Sequence, residues 1–109
     1  MSTHVIDLEK YRTPGAKIFT GRDRGEEVRN KSEIDKFAEL YDNIEIRIPG
    51  NLFSINPSFF EELFINVVKK YRSQGFFEKF KFKNDGEYPY EKPLKEAVSR
   101  ILRENTALD

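Results

Sequence analysis

Few side chains in this sequence are placed to do chemistry, and their spacing limits what that chemistry is. Ser58 follows Asn56-Pro57. Asn56 is a good helix N-cap and Pro57 suits a first helical position, so the Ser58 hydroxyl is expected in a first helical turn. A phosphate there would meet unpaired backbone N–H groups and the positive end of the helix dipole. Glu61 and Glu62 would oppose it, and a small polar residue suits a helix start without any modification. Arg22, Arg24 and Arg29, in the run GRDRGEEVR, are candidates for holding an anion near another helix start. That run is not a Walker-type loop, because no Lys-Ser or Lys-Thr follows a spaced glycine pair. Asp23, Glu26 and Glu27 offer the same arginines ordinary surface pairing instead.

Lys79, Lys81 and Lys83 alternate with Phe80 and Phe82. Interleaved basic and aromatic residues bind single strands when both reach the ligand. On a strand these phenylalanines face away from the lysines, and lysines also guard an exposed strand edge. His4 is the only histidine, with no second ligand or triad partner in view. There is no cysteine, which excludes a disulfide, a thiolate nucleophile and a cysteine metal site. No catalytic set, metal site or cofactor is implied. Tyr88 and Tyr90, flanking Pro89, serve either as interface anchors or as a cover over the end of a core.

The elements that position these residues follow from periodicity. The stretch from Ser54 to Gly75 organises the chain as a capped amphipathic helix. Phe59, Phe60, Leu63, Phe64, Val67, Val68 and Tyr71 recur on one face, and Gly75 suits a left-handed C-cap. Upstream, His4 to Tyr11 and Ala16 to Phe19 look like two strands of a hairpin around Thr13-Pro14-Gly15. Thr20 is a candidate cap for a partly helical stretch up to Arg29. Ser32 and Asp35 are spaced like a capping box before a helical face of Ile34, Phe37, Ala38 and Tyr41. Ile44 to Ile48 alternates strictly, as a strand with one wet face does, and Phe77 to Lys83 is expected as a second such strand. Pro93 starts a last helix with Leu94, Ala97, Val98, Ile101 and Leu102 inward. Residues 105–109 are expected to fray. The order implies an α/β domain: a mixed sheet of about four strands with helices mainly on one face.

The totals set the outer bounds. At 109 residues the chain is one domain, expected to be ordered over about 4–104. Phe 10 and Tyr 5 supply apolar area despite a hydrophobic fraction of 38%. The 19 basic and 19 acidic side chains balance, which argues against a whole-domain grip on nucleic acid or an anionic membrane. No apolar run is long enough to span a bilayer, and the N-terminus lacks the regions of a signal peptide. A cytoplasmic location is expected.

The element order, with GRDRGEEVR, then Ile44 to Ile48, then SINPSFF, resembles the STAS-like domains. These are short bacterial domains of uncharacterised function, related in fold to anti-sigma-factor antagonists. The resemblance covers roughly residues 16–104. Antagonists of that kind carry Asp-Ser-Ser/Thr-Gly at the loop-to-helix junction, and a partner kinase phosphorylates the second hydroxyl residue. The matching run here is Asn56-Pro57-Ser58-Phe59, in which only Ser58 keeps its chemistry. The resemblance implies a non-catalytic regulatory module that binds a protein partner through Asn51, Ser54, Asn56 and Ser58. It suggests a histidine-kinase-like ATPase acting as serine kinase. Two other readings stand beside it: a small nucleic-acid-binding protein using the lysine-bearing sheet face, and a non-catalytic subunit of an enzyme complex.

Overall fold

The computed structural model describes residues 2–106, with side chains through Glu104. In chain order the elements are β1 (Thr3–Asp7), a 3-10 turn (Leu8–Tyr11), β2 (Ile18–Phe19), α1 (Arg22–Ser32), α2 (Ile34–Leu40), β3 (Asn43–Ile48), β4 (Ser54–Ile55), α3 (Pro57–Lys79), β5 (Phe80–Asn84) and α4 (Glu91–Thr106). Of the tail expected to fray, residues 107–109 lie outside the described residues.

The chain is α/β, with every strand pairing parallel. β1, β3 and β5 form a three-stranded sheet with β3 at its centre, and β2 pairs with β4 in a separate two-stranded sheet. The expected hairpin is therefore wrong. Val5 stands opposite Glu45, and Ile18 stands opposite Ser54. Parallel strands need long crossovers; here the first crossover carries α1 and α2, and the second carries α3. In place of one mixed sheet there are two small parallel ones.

The strict alternation of β3 has a direct cause. Ile44, Ile46 and Ile48 are fully buried. Their parallel partners Ile6, Phe80 and Phe82 share that inner face. Glu45 and Arg47 point the other way and stay half-buried, while Lys81 and Lys83 on β5 are exposed. The helices therefore lie on one face, and the opposite face carries both signs of charge. Arg47 lies 3.8 Å from Glu45 and 3.7 Å from Asp85.

α3 begins as its sequence dictates. Asn56 caps it, its Oδ1 accepting from the Ser58 backbone N–H at 2.9 Å, with Pro57 at the first position. Phe64 sits at the centre of the core, stacked on Phe60 at 5.5 Å and edge-on to Phe76, Phe80 and Phe82. The far end of the helix differs from expectation. The chain kinks at Arg72 (φ 61°, ψ −179°), then returns to helix through Lys79, with Gly75 inside the second part. Phe77 is consequently helical, and β5 starts only at Phe80.

α1 starts after the first glycine of GRDRGEEVR and runs through the second. Gly21 (φ 94°), not Thr20, stands at its N-cap. Gly25 is inside because α3 crosses against it: a Cβ there would lie 2.5 Å from the Phe59 carbonyl oxygen. The capping box does not form, since Ser32 is the buried last residue of α1. Glu33, in the left-handed region at φ 54°, joins α1 to α2. α4 covers the other side of α3 with Leu94, Ala97, Val98 and Ile101.

Candidate functional site

Segments following the three strands of the larger sheet meet at its carboxyl edge. After β3 comes the loop 49–53, and after β5 the loop 85–89. The Asp85 N–H donates to the Ile48 carbonyl at 2.9 Å, and the Gly50 backbone passes so close that a Cβ on Gly86 would meet Gly50 Cα at 2.7 Å. Arg12, beyond β1, donates to the Gly50 carbonyl at 3.3 Å. Carboxyl edges of parallel sheets are where α/β proteins gather their binding loops. A shallow cleft of about 570 Å³ lies between loops 50–53 and 85–89.

The segment Asn51–Ser58 spans this edge. Asn51 is exposed with φ 58°, a conformation asparagine tolerates better than most residues. Ser54 is exposed on β4, and Asn56 and Ser58 form the start of α3. The Phe53 N–H donates to the Lys17 carbonyl at 2.7 Å, and the Asn56 N–H to the Phe19 carbonyl at 2.8 Å, so β2 holds the segment in place. The Ser58 hydroxyl donates to Asn56 Oδ1 at 2.9 Å. Two residues here went unmarked by sequence reasoning: Phe53 is 71% exposed and Ile18 50% exposed. Ile18 is registered beside Ser54, and Lys17 Nζ sits 4.9 Å from the centre of the Phe53 ring. A phenylalanine among Asn51, Ser54 and Asn56, between Pro49 and the helix-starting Pro57, was the available signal.

Glu61 and Glu62, expected to oppose a phosphate at Ser58, are both held by arginines. Glu61 is only 3% exposed. Its carboxylate lies 3.3 Å from Arg100 of α4 and 3.7 Å from Arg22 of α1. Glu62 lies 3.3 Å from Arg29 and 3.6 Å from Arg22. Arg29 also donates to the Glu62 carbonyl at 2.5 Å. These contacts tie α1 and α4 to the first turns of α3, and a buried carboxylate needs such partners.

Of the three arginines of the expected anion set, Arg22 and Arg24 line one open cavity at the start of α1 with Thr20, Gly21, Asp23 and Glu27, and Arg29 lies outside that lining. Arg22 and Arg29 share the α1 face toward α3. Arg24 pairs with Glu27 at 2.8 Å and with the Thr13 hydroxyl. The lysine stripe is likewise shorter than its sequence suggests. Lys79 ends α3 and donates to the carbonyls of Tyr41 at 2.5 Å and Asp42 at 3.3 Å, leaving Lys81 and Lys83 outward on β5.

His4 stacks on Phe37 at 3.9 Å, a packing role. Tyr90 stacks on Phe82 at 5.6 Å, and both Tyr88 and Tyr90 are half-buried against the core. Burial, reinforced by Glu91, pushes the Tyr90 phenol up. Among the described residues no cluster of His, Asp or Glu could hold a metal ion, and no helix is long and apolar enough to cross a membrane. Comparison with family models, curated proteins and solved structures returns no match to this chain.

Proposed function

We propose that this chain is a STAS-like protein-interaction module, without chemistry of its own, that docks a regulatory partner at the carboxyl edge of its sheet. The observation that carries this reading is the pair of exposed apolar side chains, Phe53 and Ile18, beside the Asn51–Ser58 segment. Single exposed hydrophobes are ordinary. Ile18 lies on β2 and Phe53 immediately precedes β4, its partner strand, with Asn51, Ser54 and Lys17 around them and a shallow cleft beside Phe53. An aromatic anchor with a polar rim is the usual composition of a protein interface.

Ser58 is the candidate switch in this reading. Its hydroxyl stands at the start of a long helix, and the nearest acids on that helix are already countered by Arg22, Arg29 and Arg100. A phosphate would add roughly −1.5 to −2 charges at pH 7, enough to repel an acidic partner. The partner suggested by the resemblance is a histidine-kinase-like ATPase of a bacterial cytoplasm. Nucleic-acid binding has less support, because the face that carries Lys81 and Lys83 also carries Glu45 and Asp7 in register with them and with Arg47.

The test is a binding titration against the partner recovered from native cells. Phe53→Ser is expected to weaken docking about tenfold or more. Ser58→Glu is expected to weaken it, and Ser58→Ala to leave it near wild type. Equal affinities for Phe53→Ser, Ser58→Glu and wild type would remove the carboxyl edge from the interface. Salt-sensitive retention of single-stranded nucleic acid would favour the lysine-face reading. Turnover that appears only with a partner would favour an enzyme subunit.

A further inference from the structure

A second concavity lies between the 3-10 turn and α1, apart from the docking edge proposed above. Residues 24, 27, 28 and 31 of α1 follow the three- and four-residue steps of one helical face. Val28 is fully buried, while Arg24, Glu27 and Lys31 line a cleft of about 350 Å³ with Lys10, Tyr11 and Arg12 opposite. Four cations line it against one carboxylate, in a chain whose total charge is zero. Glu9 pairs with Arg12 from outside that lining.

Glu27 indicates what the cleft accepts. Its carboxylate is held by Arg24 at 2.8 Å and by Lys31 at 3.2 Å. Lys31 foremost, then Arg24, holds its carboxyl below the usual carboxylate range. Two cations of α1 therefore already cradle an oxyanion that belongs to the chain, with Lys10 and Arg12 on the opposite wall of the cleft. Arg24 is steadied by the Thr13 hydroxyl, and Arg12 by the Gly50 carbonyl and a bidentate pair with Glu9, so both planar guanidinium groups are held in place and a ligand on Arg12 competes with Glu9. Arginine donors of that kind suit phosphate oxygens. The volume is at the low end for ligand pockets, which suits a phosphate group on a small molecule.

We propose that this cleft binds a small phosphorylated anion, held by Arg12 and Arg24 with Lys10 and Lys31 at the rim, and that Glu27 is its built-in competitor. The site is not the arginine trio suggested by the sequence, since Arg22 and Arg29 are committed to α3.

The probe is inorganic pyrophosphate at low salt, followed by backbone-amide NMR on the full chain. Shifts are expected to gather at residues 10–14 and 24–31. Shifts centred on Lys81 and Lys83, or none at millimolar pyrophosphate, would overturn the proposal. Lys10 and Lys31 are exposed, so Lys10→Glu with Lys31→Glu should fold and should weaken binding about tenfold or more. Unchanged binding in that variant would also overturn it. Glu27→Gln is expected to tighten binding about two- to fivefold, whereas Glu26→Gln, outside the lining, should leave it unchanged. Equal tightening by both would mean general charge attraction and would sink the cleft as a site.

Discussion

Replacing Gly25 by alanine sets two physical effects against each other, and the structure decides the sign. On sequence grounds a mid-helix glycine costs about 0.8–1.0 kcal/mol relative to alanine, so Gly25→Ala should stabilise α1. In the fold, α3 passes directly over this position. The new Cβ would stand 2.5 Å from the Phe59 carbonyl oxygen, 2.8 Å from Glu62 Cβ and 3.2 Å from the Leu63 nitrogen. Carbon atoms pack best at about 3.5–4.0 Å, so relative to Glu62 Cβ alone the helices must part by roughly 0.7 Å. Two of the three obstacles are backbone atoms of a packed helix and cannot rotate away. Parting α1 from α3 also loosens the packing of the buried Val28 and lengthens the Arg29–Glu62 pair. Overpacking of this kind costs about 1–3 kcal/mol, occasionally more. With an upper-range cost, because backbone is the obstacle, net destabilisation of about 2 kcal/mol remains after the propensity gain. That is a large part of the roughly 5–15 kcal/mol available. The assay is urea denaturation followed by circular dichroism, with a lower midpoint at unchanged slope expected. Gly75→Ala is the control: it is also helical, and its Cβ would meet only Tyr71 Cβ, at 3.2 Å. A midpoint for Gly25→Ala equal to or above wild type would refute the close helix crossing.

Arg72 holds φ 61° with ψ −179°, a region almost restricted to glycine. Arg72→Gly should therefore raise stability by about 1 kcal/mol in the same assay, strain relief of about 1–3 kcal/mol outweighing glycine's entropy cost; a lower midpoint would show that the kink carries no strain. Phe64→Ala, at a fully buried site among four other phenylalanine rings, should cost about 3–5 kcal/mol, and an unchanged midpoint would mean that Phe64 is not at the core. Glu27, held low by Lys31 and Arg24, and Glu39, held low by Lys70, add stability that is present above their unfolded pKa. That contribution is lost as pH falls through their depressed folded values. Glu27→Gln with Glu39→Gln should flatten the acid limb of a stability–pH profile, and an identical limb would show that these surface pairs contribute nothing.

Local signals in the sequence settled the elements whose cause is local. Asn56 and Pro57 start α3 because a cap and a fixed φ act within a few residues. The alternation of Ile44 to Ile48 places three isoleucines inward because side chains on a strand alternate by geometry. Leu94, Ala97, Val98 and Ile101 face inward in α4 for the equivalent helical reason. Strand partnership was not local. Thr13-Pro14-Gly15 is a good turn, but β1 finds its partner forty residues on, where β3 offers an apolar face in register. The end of α3 was not local either: Gly75 is a permissible stop, yet the helix resumes to bury Phe76 against Phe64 and Phe80. The site divides along the same line. The loop and its serine were legible as composition, and Phe53 stood there unmarked. Whether three arginines act together depended on which side of α1 meets α3. The sequence holds their spacing, but only the tertiary packing gives Arg22 and Arg29 the carboxylates of α3 as partners while Arg24 keeps Glu27. Hydrogen-bond partners, close helix crossings and charge pairing are set by distances between segments far apart in the chain, and those distances exist only once it is folded.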